Sequence, residues 1–516
     1  MRPRDWREHL PAGSALGVED LTVRRSLPAA WGEVWAANPS APLLFDVSDG
    51  SRPPGPGAWV TAGELDDRTR RAAAVLRGMG LGPGDRLLWC TGSSVPAVVA
   101  NLAALRCGMV VVPANAAYTA RELAHIVTDV RPAAAVVDDP DRARWVAGAA
   151  SGPLPVMSVD LEVIAGPDSP APRRGRTPDA EGLDCSAPDN PALIAYTSGT
   201  TGAPKGAVLS HGNILANSES VALTWRWEQQ DRLVHALPIF HGHGLCVALY
   251  TSLLRGSSVV LLPRFDQDGV LDALAAHRAT LFFGVPTMYH RLAASARVGE
   301  LSTLRLAVSG SAPLAADLHR RILDRGGTDV LERYGMTETL MTISNPYAGE
   351  RRPGTVGFPF PGVDVDVDGE EILVRGPTIF SGYWERPAAT AERLVDGWFR
   401  TGDLATVDDG YVTIRGRSSD LIVSGGYNVY PAEVEDVLLM HPSVAEVAVT
   451  GTPSDEWGEA VTAWVVVSGT PTSGPELTAF AAGFLAPYKR PRQVHFVTEL
   501  PRNAMGKVRR VDLRPR

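Results

Sequence analysis

The sequence predicts an α/β fold over a long N-terminal part, followed by a smaller α+β domain. From residue 59 to about residue 310, short apolar runs alternate with helical patterns, as the strands and crossover helices of parallel sheets do. Beyond Gly354, short strands and turns dominate, which is typical of a small β-barrel-like part. The last hundred residues have a β/α pattern of their own. We therefore expect two domains, 1–416 and 417–516.

The individual elements follow from hydrophobic periodicity and from the Gly and Pro residues between them. Helices are predicted where apolar residues recur every three to four positions, at 29–37, 61–79, 95–107, 121–128, 269–277, 431–440 and 477–485. Strands are predicted at short apolar or alternating runs, at 86–90, 109–113, 133–137, 258–262, 280–284, 304–308, 363–367, 371–374, 411–415, 444–450 and 460–467. Residues 166–190 are rich in Pro, Asp and Arg, which indicates a loop.

Composition excludes several classes of function. The 516 residues are 45% hydrophobic and carry a net charge of −9 with both signs interspersed, which argues against nucleic acid or an anionic membrane as a partner. The four cysteines contain no C-x-x-C pair, so neither a disulfide framework nor a zinc ribbon is indicated. The N-terminus is charged and no apolar run is long enough to span a bilayer. We expect a cytoplasmic protein.

Segment 196–206 reads Tyr-Thr-Ser-Gly-Thr-Thr-Gly-Ala-Pro-Lys-Gly and is the first candidate site. Its glycines let backbone N–H groups approach an anion, and its hydroxyls and lysine add donors. It is not a Walker A loop, because Lys205 follows Pro204 and no Ser or Thr comes next. Only three of the 49 basic residues are lysines, which favours a role for Lys205 as a compact charge. On spacing alone, phosphate binding and a polar surface loop are equal alternatives.

Two further clusters contain carboxylates behind glycine turns. In segment 332–338, Glu-Arg-Tyr-Gly-Met-Thr-Glu, Glu338 could hold phosphate-bound Mg²⁺. Read alone, the segment instead favours a helix N-terminus capped by Thr337 or Glu338. Asp403, at the end of Trp-Phe-Arg-Thr-Gly-Asp, could accept hydrogen bonds from a ribose diol, or could be an ordinary turn aspartate.

The sequence near the predicted domain boundary and near the C-terminus adds three more charged candidates. Arg417 and Asp420 lie in Gly-Arg-Ser-Ser-Asp-Leu-Ile, where the texture of the sequence changes between domains. Lys507 ends the segment Pro-Arg-Asn-Ala-Met-Gly-Lys. A lone terminal lysine is usually only a solvated charge, so this residue by itself indicates nothing.

The joint occurrence and order of these segments is far more specific than any one of them. Together, 196–206, 334–338, 401–403, 416–420 and 501–507 resemble the adenylate-forming superfamily of acyl-CoA synthetases, adenylation domains and luciferases. The resemblance covers about residues 59–507. It implies a two-domain enzyme that uses ATP and Mg²⁺ to convert a carboxylic acid to an acyl-adenylate with release of pyrophosphate. A small, mobile C-terminal domain then rotates so that coenzyme A can form the thioester.

The resemblance also implies roles for individual residues. The catalytic set is Lys507, Glu338, Thr337 and His241. The phosphate-binding set is Thr197, Ser198, Gly199, Thr200, Thr201, Gly202 and Lys205, and the metal would be held by Glu338 and Thr200. The remaining cofactor-binding set is Gly310, Ser311, Ala312, Arg333, Tyr334, Gly335 and Met336 around the adenine, Asp403 and Arg417 at the ribose, and Gly425 and Gly426 at the pantetheine. Asp420 matches the hinge position. Many members have lysine where this chain has Ser419, which leaves the role of that lysine open here.

The acid is a separate question, because fold and motifs do not fix it. Segments 237–245, 282–291, 308–314 and 332–341 look like those of malonyl-CoA synthetases, including members that accept methylmalonate. In that group the arginine of Val-Pro-Thr-x-Tyr-x-Arg pairs with the distal carboxylate, which maps to Arg291. Arg291 could otherwise be a solvated residue on a helix over 288–295. His241 and His243 lack partner ligands at metal spacing, so a pocket-lining His241 and a structural His243 are favoured.

Two other functions stay open at this point. The chain could adenylate an aryl or amino acid whose acceptor is an amine or a carrier-protein thiol, and a carrier-protein partner is therefore not excluded. It could also be a non-catalytic member that senses nucleotide, although the presence of Lys205, Glu338 and Lys507 argues against this.

Overall fold

The computed structural model describes residues 2–10, 14, 21, 25–47, 59–161, 182–197, 204–454, 456–502 and 507–514. The chain divides into two compact units. The large unit consists of Pro3–Val365 and Val374–Phe399, and the small unit consists of Met1–Arg2, Asp366–Leu373 and Arg400–Arg516. Residues 400–416 thus group with the small unit, and the domain boundary at residue 417 stays a prediction.

The described part of the large unit contains a nine-stranded sheet whose centre is parallel. In spatial order its strands are Phe358–Pro359, Leu340–Ser344, Leu331–Met336, Leu306–Ser309, Leu281–Gly284, Arg232–His235, Ser258–Leu261, Pro42–Asp46 and Val60–Thr61. The inner strands are continuous apolar runs, as expected for strands covered by helices on both faces. The chain leaves the parallel pattern after Met336 and returns as the antiparallel strand Leu340–Ser344.

A second sheet of the large unit has seven strands among the described residues. Their spatial order is Gly382–Tyr383, Lys205–Ser210, Pro191–Thr197, Val110–Pro113, Arg86–Cys90, Ala134–Val137 and Val156–Met157. Strands Pro191–Thr197 and Lys205–Ser210 form an antiparallel pair in which Thr197 lies opposite Lys205. The short strand Gly382–Tyr383 pairs with Lys205–Ser210 and places Tyr383 opposite Ala207.

Helices pack against both sheets. The described part of the large unit contains the α-helices Leu27–Ala37, Ala62–Gly78, Val95–Arg106, Ala120–Val130, Pro140–Ala149, His211–Thr224, Thr251–Arg255, Gln267–His277, Pro286–Ala294, Ala316–Gly326 and Pro387–Arg393, with a π-helix at His243–Tyr250. Several begin with capping boxes, such as Thr61 with Glu64 and Thr119 with Glu122, which satisfy the first free N–H groups. One buried core lies between the nine-stranded sheet and helices Gln267–His277, Pro286–Ala294 and Ala316–Gly326.

The small unit contains a sheet with the order Tyr427–Val429, Ile422–Ser424, Gly458–Val467 and Val444–Ser454, and Gln493–Phe496 pairs in parallel with Gly458–Val467. Helices Pro431–Leu439 and Gly474–Ala481 cover the core of this sheet, which is rich in Val and Leu. Strand Trp398–Asp408, of which residues 400–408 belong to this unit, forms an antiparallel hairpin with Tyr411–Arg417, and Asp403 lies opposite Arg417. Within the described residues, no helix combines the length and the apolar character needed to cross a membrane.

The predicted fold class is confirmed: an α/β part with parallel sheets accompanies a smaller mixed domain. One alternative from the sequence is wrong. Residues 332–338 do not begin a helix, because Leu331–Met336 is a strand and residues 337–339 form a turn. The chain must reverse there to pair with Leu340–Ser344, and Gly335 permits it, since a Cβ at that position would lie 2.1 Å from the Leu340 carbonyl oxygen.

Candidate active site

The carboxyl ends of three neighbouring parallel strands form one edge of the nine-stranded sheet. Gly284 ends the first strand and lies opposite Ser309, and the N–H of Gly310 donates to the Gly284 carbonyl at 3.3 Å. The third strand, Leu331–Met336, brings Arg333 to the same edge. Open α/β sheets bind their ligands at such an edge, so these residues are placed for a site.

Arg333 is a buried guanidinium, with only 3% of the residue exposed. It packs against Gly310 so closely that a Cβ at that position would lie 2.3 Å from its Cζ. Its Nε and Nη2 find no hydrogen-bond partner among the described residues. Burial lowers the pKa of Arg333 to about 9, and the nearby Glu332 opposes the shift. A charge held in this state is costly, and an incoming anion would relieve the cost.

His243 lies beside this arginine at the first turn of the π-helix. Its imidazole is 2% exposed and stacks on Phe283 at a centroid distance of 6.2 Å. Burial, and then the positive charge of Arg333, lower the pKa of His243, so the ring is neutral. His241 is only partly buried and stands at the start of the same segment, where its carbonyl accepts from the Leu245 N–H. Its pocket-lining role stays a prediction.

The two described ends of the predicted phosphate-binding segment lie on the other sheet. Thr197 ends one strand and Lys205 begins the next, and the two residues lie opposite each other. Ser198, Gly199, Thr200, Thr201 and Gly202 lie outside the described residues. The Lys205 ammonium lies 5.2 Å from the centre of the Tyr383 ring.

Glu338 follows the strand that carries Arg333 and is 5% exposed. The Tyr383 hydroxyl donates to Glu338 Oε1 at 2.8 Å, and the Glu338 carbonyl accepts from the Phe380 N–H at 2.8 Å. Thr337 is half-buried in the same turn. The structure thus brings the predicted metal ligand to the hydroxyl of Tyr383 and the predicted phosphate lysine to the ring of the same residue.

The predicted adenine segment begins directly after the strand Leu306–Ser309. Ser311 has a φ of 69°, a left-handed conformation that L-residues rarely adopt, and Ala312 is exposed. Residues held in sparsely populated backbone conformations cluster at active sites, although helix ends and turns use them as well. Tyr334 and Met336 are half-buried, and the Tyr334 hydroxyl lies 4.0 Å from the Met336 sulfur.

In the small unit, the two predicted ribose ligands contact each other. Asp403 is 6% exposed, and its Oδ1 lies 2.6 Å from Arg417 Nε across the hairpin. The Asp403 N–H donates to Thr401 Oγ1 at 3.0 Å. This aspartate is therefore a buried, oriented carboxylate rather than an ordinary turn residue.

Lys507 reaches the surface of the small unit, but its ammonium is crowded by protein groups. Burial lowers the pKa of Lys507 below its usual value of 10.5, the charge of Arg417 lowers it further, and Asp403 opposes the shift. Lys507, Asp403 and Arg417 thus form one charged cluster within this unit. Such a setting distinguishes Lys507 from a freely solvated lysine.

The remaining predicted residues of the small unit also have defined surroundings. Asp420 Oδ2 lies 3.5 Å from Arg510 Nη1, and Ser419 Oγ donates to the other Asp420 oxygen at 3.3 Å. Gly425 and Gly426 have φ values of 59° and 82° and form the two-residue turn between Ile422–Ser424 and Tyr427–Val429. This turn requires positive φ at both positions, which explains the glycines locally.

Arg291 is placed less decisively than Arg333. It is exposed in the last turn of helix Pro286–Ala294, which begins shortly after Gly284 at the sheet edge. Its pairing with a substrate carboxylate stays a prediction.

Glu338 is the one predicted metal ligand that lies within the described residues. Across the described ranges, no group of three or more His, Cys, Asp or Glu side chains could hold a metal ion. Mg²⁺ is commonly bound through one or two carboxylates together with substrate phosphates, and Glu338 offers such a carboxylate. The residues therefore fit Mg²⁺ carried on ATP.

The sequence does not indicate Tyr383 as a site residue, and the family resemblance assigns Arg333 only to the adenine. The segment Ser-Gly-Tyr-Trp-Glu-Arg-Pro at 381–387 carries a positive-φ Gly382 and a Pro at a helix start, which could have indicated a fixed turn. Nothing local could have placed its tyrosine beside Glu338. For Arg333, an arginine within an apolar strand pattern was the available signal.

Comparison with known proteins identifies the family. Residues 33–384 match the model of the AMP-binding enzyme family, and residues 433–507 match the model of the AMP-binding enzyme C-terminal domain. The chain belongs to the AMP-binding enzyme family. It is an adenylate-forming enzyme of the acyl-CoA synthetase type, as its motifs predict.

Three relatives show how the chain is placed within this family. It is similar to the ATP-bound MatB of Rhodopseudomonas palustris, with 40% identity, a TM-score of 0.86, and coverage of 95% of this chain and 98% of that one. It is 39% identical to a feruloyl-CoA synthase of Amycolatopsis over 89% of this chain and 94% of the relative. It is 36% identical to the mitochondrial malonate–CoA ligase of Mus musculus over 87% of this chain and 85% of the relative.

Proposed function

We propose that the chain activates malonate or methylmalonate with ATP and Mg²⁺ and transfers the acyl group to CoA. The single observation that carries the choice of acid is the buried guanidinium of Arg333. A short diacid reacts through one carboxylate and must bury the other, which needs a cationic partner. A simple monoacid offers this arginine no second carboxylate. Similarity to a malonate–CoA ligase supports the same choice.

Arg291 supplies the second cation of this proposal. The resemblance to malonyl-CoA synthetases assigns it to the distal carboxylate, and its helix starts near the same sheet edge. We assign Arg333 to the acid as well, rather than to the adenine. Its planar guanidinium packs on Gly310, and its Nε and Nη2 lack hydrogen-bond acceptors among the described residues, which a carboxylate of the acid would supply. His243 stays neutral beside it and therefore adds no competing charge.

Adenylation joins two anions, so cations must be placed before the reaction begins. Lys205 would hold the outer phosphates, Thr337 would donate to the α-phosphate, and Glu338 would hold Mg²⁺. The metal, when bound, screens the phosphate charge. Lys507 would contact the acyl carboxylate and the phosphate in the first step and leave with its domain before CoA attacks. Asp403 would accept hydrogen bonds from the ribose.

An aryl acid is the second candidate, because a feruloyl-CoA synthase is 39% identical to this chain. In that case Arg333 would serve a polar group of the aryl acid or the nucleotide. An acceptor other than CoA, such as an amine or a carrier-protein thiol, belongs to the same alternative. The two candidates differ in what happens when the second carboxylate is removed from the substrate.

The test is pyrophosphate release across malonate, methylmalonate, ferulate, benzoate and an amino acid, each with and without CoA. We expect the highest kcat/KM with malonate or methylmalonate and thioester formation only with CoA. One methyl group is worth only about 1–3 kcal/mol, so these two acids can rank in either order. Turnover of ferulate above both diacids, or turnover indifferent to CoA, would contradict the proposal.

A further inference from the structure

We infer that Tyr383 is a positioning residue that fixes the orientation of the proposed metal ligand Glu338 and of the proposed phosphate ligand Lys205. The inference rests on the proposed use of ATP with Mg²⁺. The Tyr383 hydroxyl donates to Glu338 Oε1 at 2.8 Å, and the Tyr383 ring faces the Lys205 ammonium at 5.2 Å from its centre. One side chain therefore touches two charged groups from separate motifs.

The backbone around Tyr383 is fixed from several directions. The N–H of Ser381 donates to the Val208 carbonyl at 2.9 Å, and the N–H of Trp384 donates to the Gly206 carbonyl at 2.7 Å. These bonds attach the segment to the strand that begins with Lys205. The Tyr383 N–H in turn donates to Thr390 Oγ1 at 2.9 Å. The tyrosine thus has little freedom to move relative to Lys205.

A second attachment joins the same segment to Glu338. The Phe380 N–H donates to the Glu338 carbonyl at 2.8 Å, and the Phe380 and Tyr383 rings meet edge to face at 4.9 Å. The carboxylate is thereby held at its backbone and at one oxygen. A hydrogen bond to a charged acceptor is stronger than one between neutral groups, so the phenol sets the direction of the carboxylate.

These contacts give the two ends of Tyr383 different tasks. The hydroxyl orients the carboxylate that would hold Mg²⁺, and the ring orients the ammonium that would hold phosphate. Mg²⁺ demands near-ideal octahedral geometry, so a freely rotating carboxylate would bind it less well. Removing the hydroxyl alone should therefore weaken only the part of ATP binding that depends on the metal.

The test is ATP binding to the full-length enzyme by titration calorimetry, with Mg²⁺ and with EDTA. For Tyr383→Phe we expect binding about tenfold to a hundredfold weaker with Mg²⁺, the range for a hydrogen bond to a charged group, and unchanged binding with EDTA. Tyr383→Leu also removes the ring, so binding with EDTA should weaken about twofold to fivefold. Tyr347→Phe is the matched control, because the Tyr347 ring lies among Arg226, Arg305 and Arg351, and it should behave as wild type.

The outcomes separate this inference from the proposed function. If Mg²⁺ increases the ATP affinity of Tyr383→Phe as much as that of wild type, the positioning role is wrong while adenylation stands. The same holds if the variant loses ATP affinity equally with Mg²⁺ and with EDTA. If wild-type enzyme shows no gain from Mg²⁺, both the metal assignment and the inference fail. Binding with EDTA also reports that each variant is folded.

Discussion

Replacing Arg333 by methionine tests the role of the buried guanidinium. Burial lowers the pKa of Arg333 from 12.5 to about 9. At about 1.36 kcal/mol per pKa unit, the charged form costs the folded protein about 5 kcal/mol. Because the unfolded chain binds this proton more tightly, the penalty is fully present below pH 9 and disappears only as the pH rises toward 12.5. Methionine removes the charge and nearly preserves the length of the side chain.

We therefore expect Arg333→Met to separate stability from activity. The melting temperature of the free enzyme should equal or exceed that of wild type, since an uncompensated buried charge is gone. The kcat/KM for malonate should fall about 30-fold to 5,000-fold, because the distal carboxylate loses its partner. This fold-change corresponds to a loss of transition-state stabilisation of about 2–5 kcal/mol. Scanning calorimetry and a coupled pyrophosphate assay measure the two effects.

Arg106 provides the matched control for this prediction. It is equally buried, at 3% exposed, but its guanidinium bonds Asp66 and Asp184 at 2.7 and 2.8 Å. Arg106→Met should lower stability by about 3–5 kcal/mol, because two carboxylates lose their partner. If Arg333→Met destabilises the protein as Arg106→Met does, or leaves malonate turnover intact, Arg333 is a structural residue and does not bind the acid.

Three further predictions concern Arg291 and Lys507. Arg291→Ala should lower kcat/KM for malonate by about 2–5 kcal/mol while ATP binding by calorimetry stays unchanged, and intact malonate turnover would remove Arg291 from the acid site. Lys507→Ala should abolish adenylation in single-turnover assays but spare thioester formation from a supplied acyl-adenylate; equal loss of both steps would contradict the two-step cycle. Burial and the charge of Arg417 lower the pKa of Lys507, so the adenylation rate should fall as the pH rises through a value below 10.5. An adenylation rate that does not change with pH up to 10.5 would argue against a protonated lysine in this step.

Much of the fold was accessible from the sequence because its signals are local. The strand Arg86–Cys90 and the helix Val95–Arg106 follow from one apolar run and one helical pattern, bounded by turn residues. The helix start predicted at Thr337 and Glu338 is wrong, because hydroxyl and carboxylate side chains accept backbone hydrogen bonds in turns as well as at helix starts. Only pairing with Leu340–Ser344 decides between the two, and pairing is not a local property.

The candidate site likewise combines features that local sequence indicates with contacts that only the fold creates. The order of the motifs was sufficient to identify the family, since each is a short continuous segment. The contact between Tyr383 and Glu338 spans 45 positions, and no single segment contains it. Arg333 could be placed in a site from the sequence, but its burial and missing partners depend on how Gly310 packs beside it.

We propose that the buried cation Arg333 selects a diacid. This selection is tested by the ratio of kcat/KM for malonate to kcat/KM for butyrate, a chain of similar length without the second charge, in wild type and in Arg333→Met. We predict that wild type prefers malonate and that the variant loses or reverses this preference. An equal ratio in both enzymes would contradict the claim.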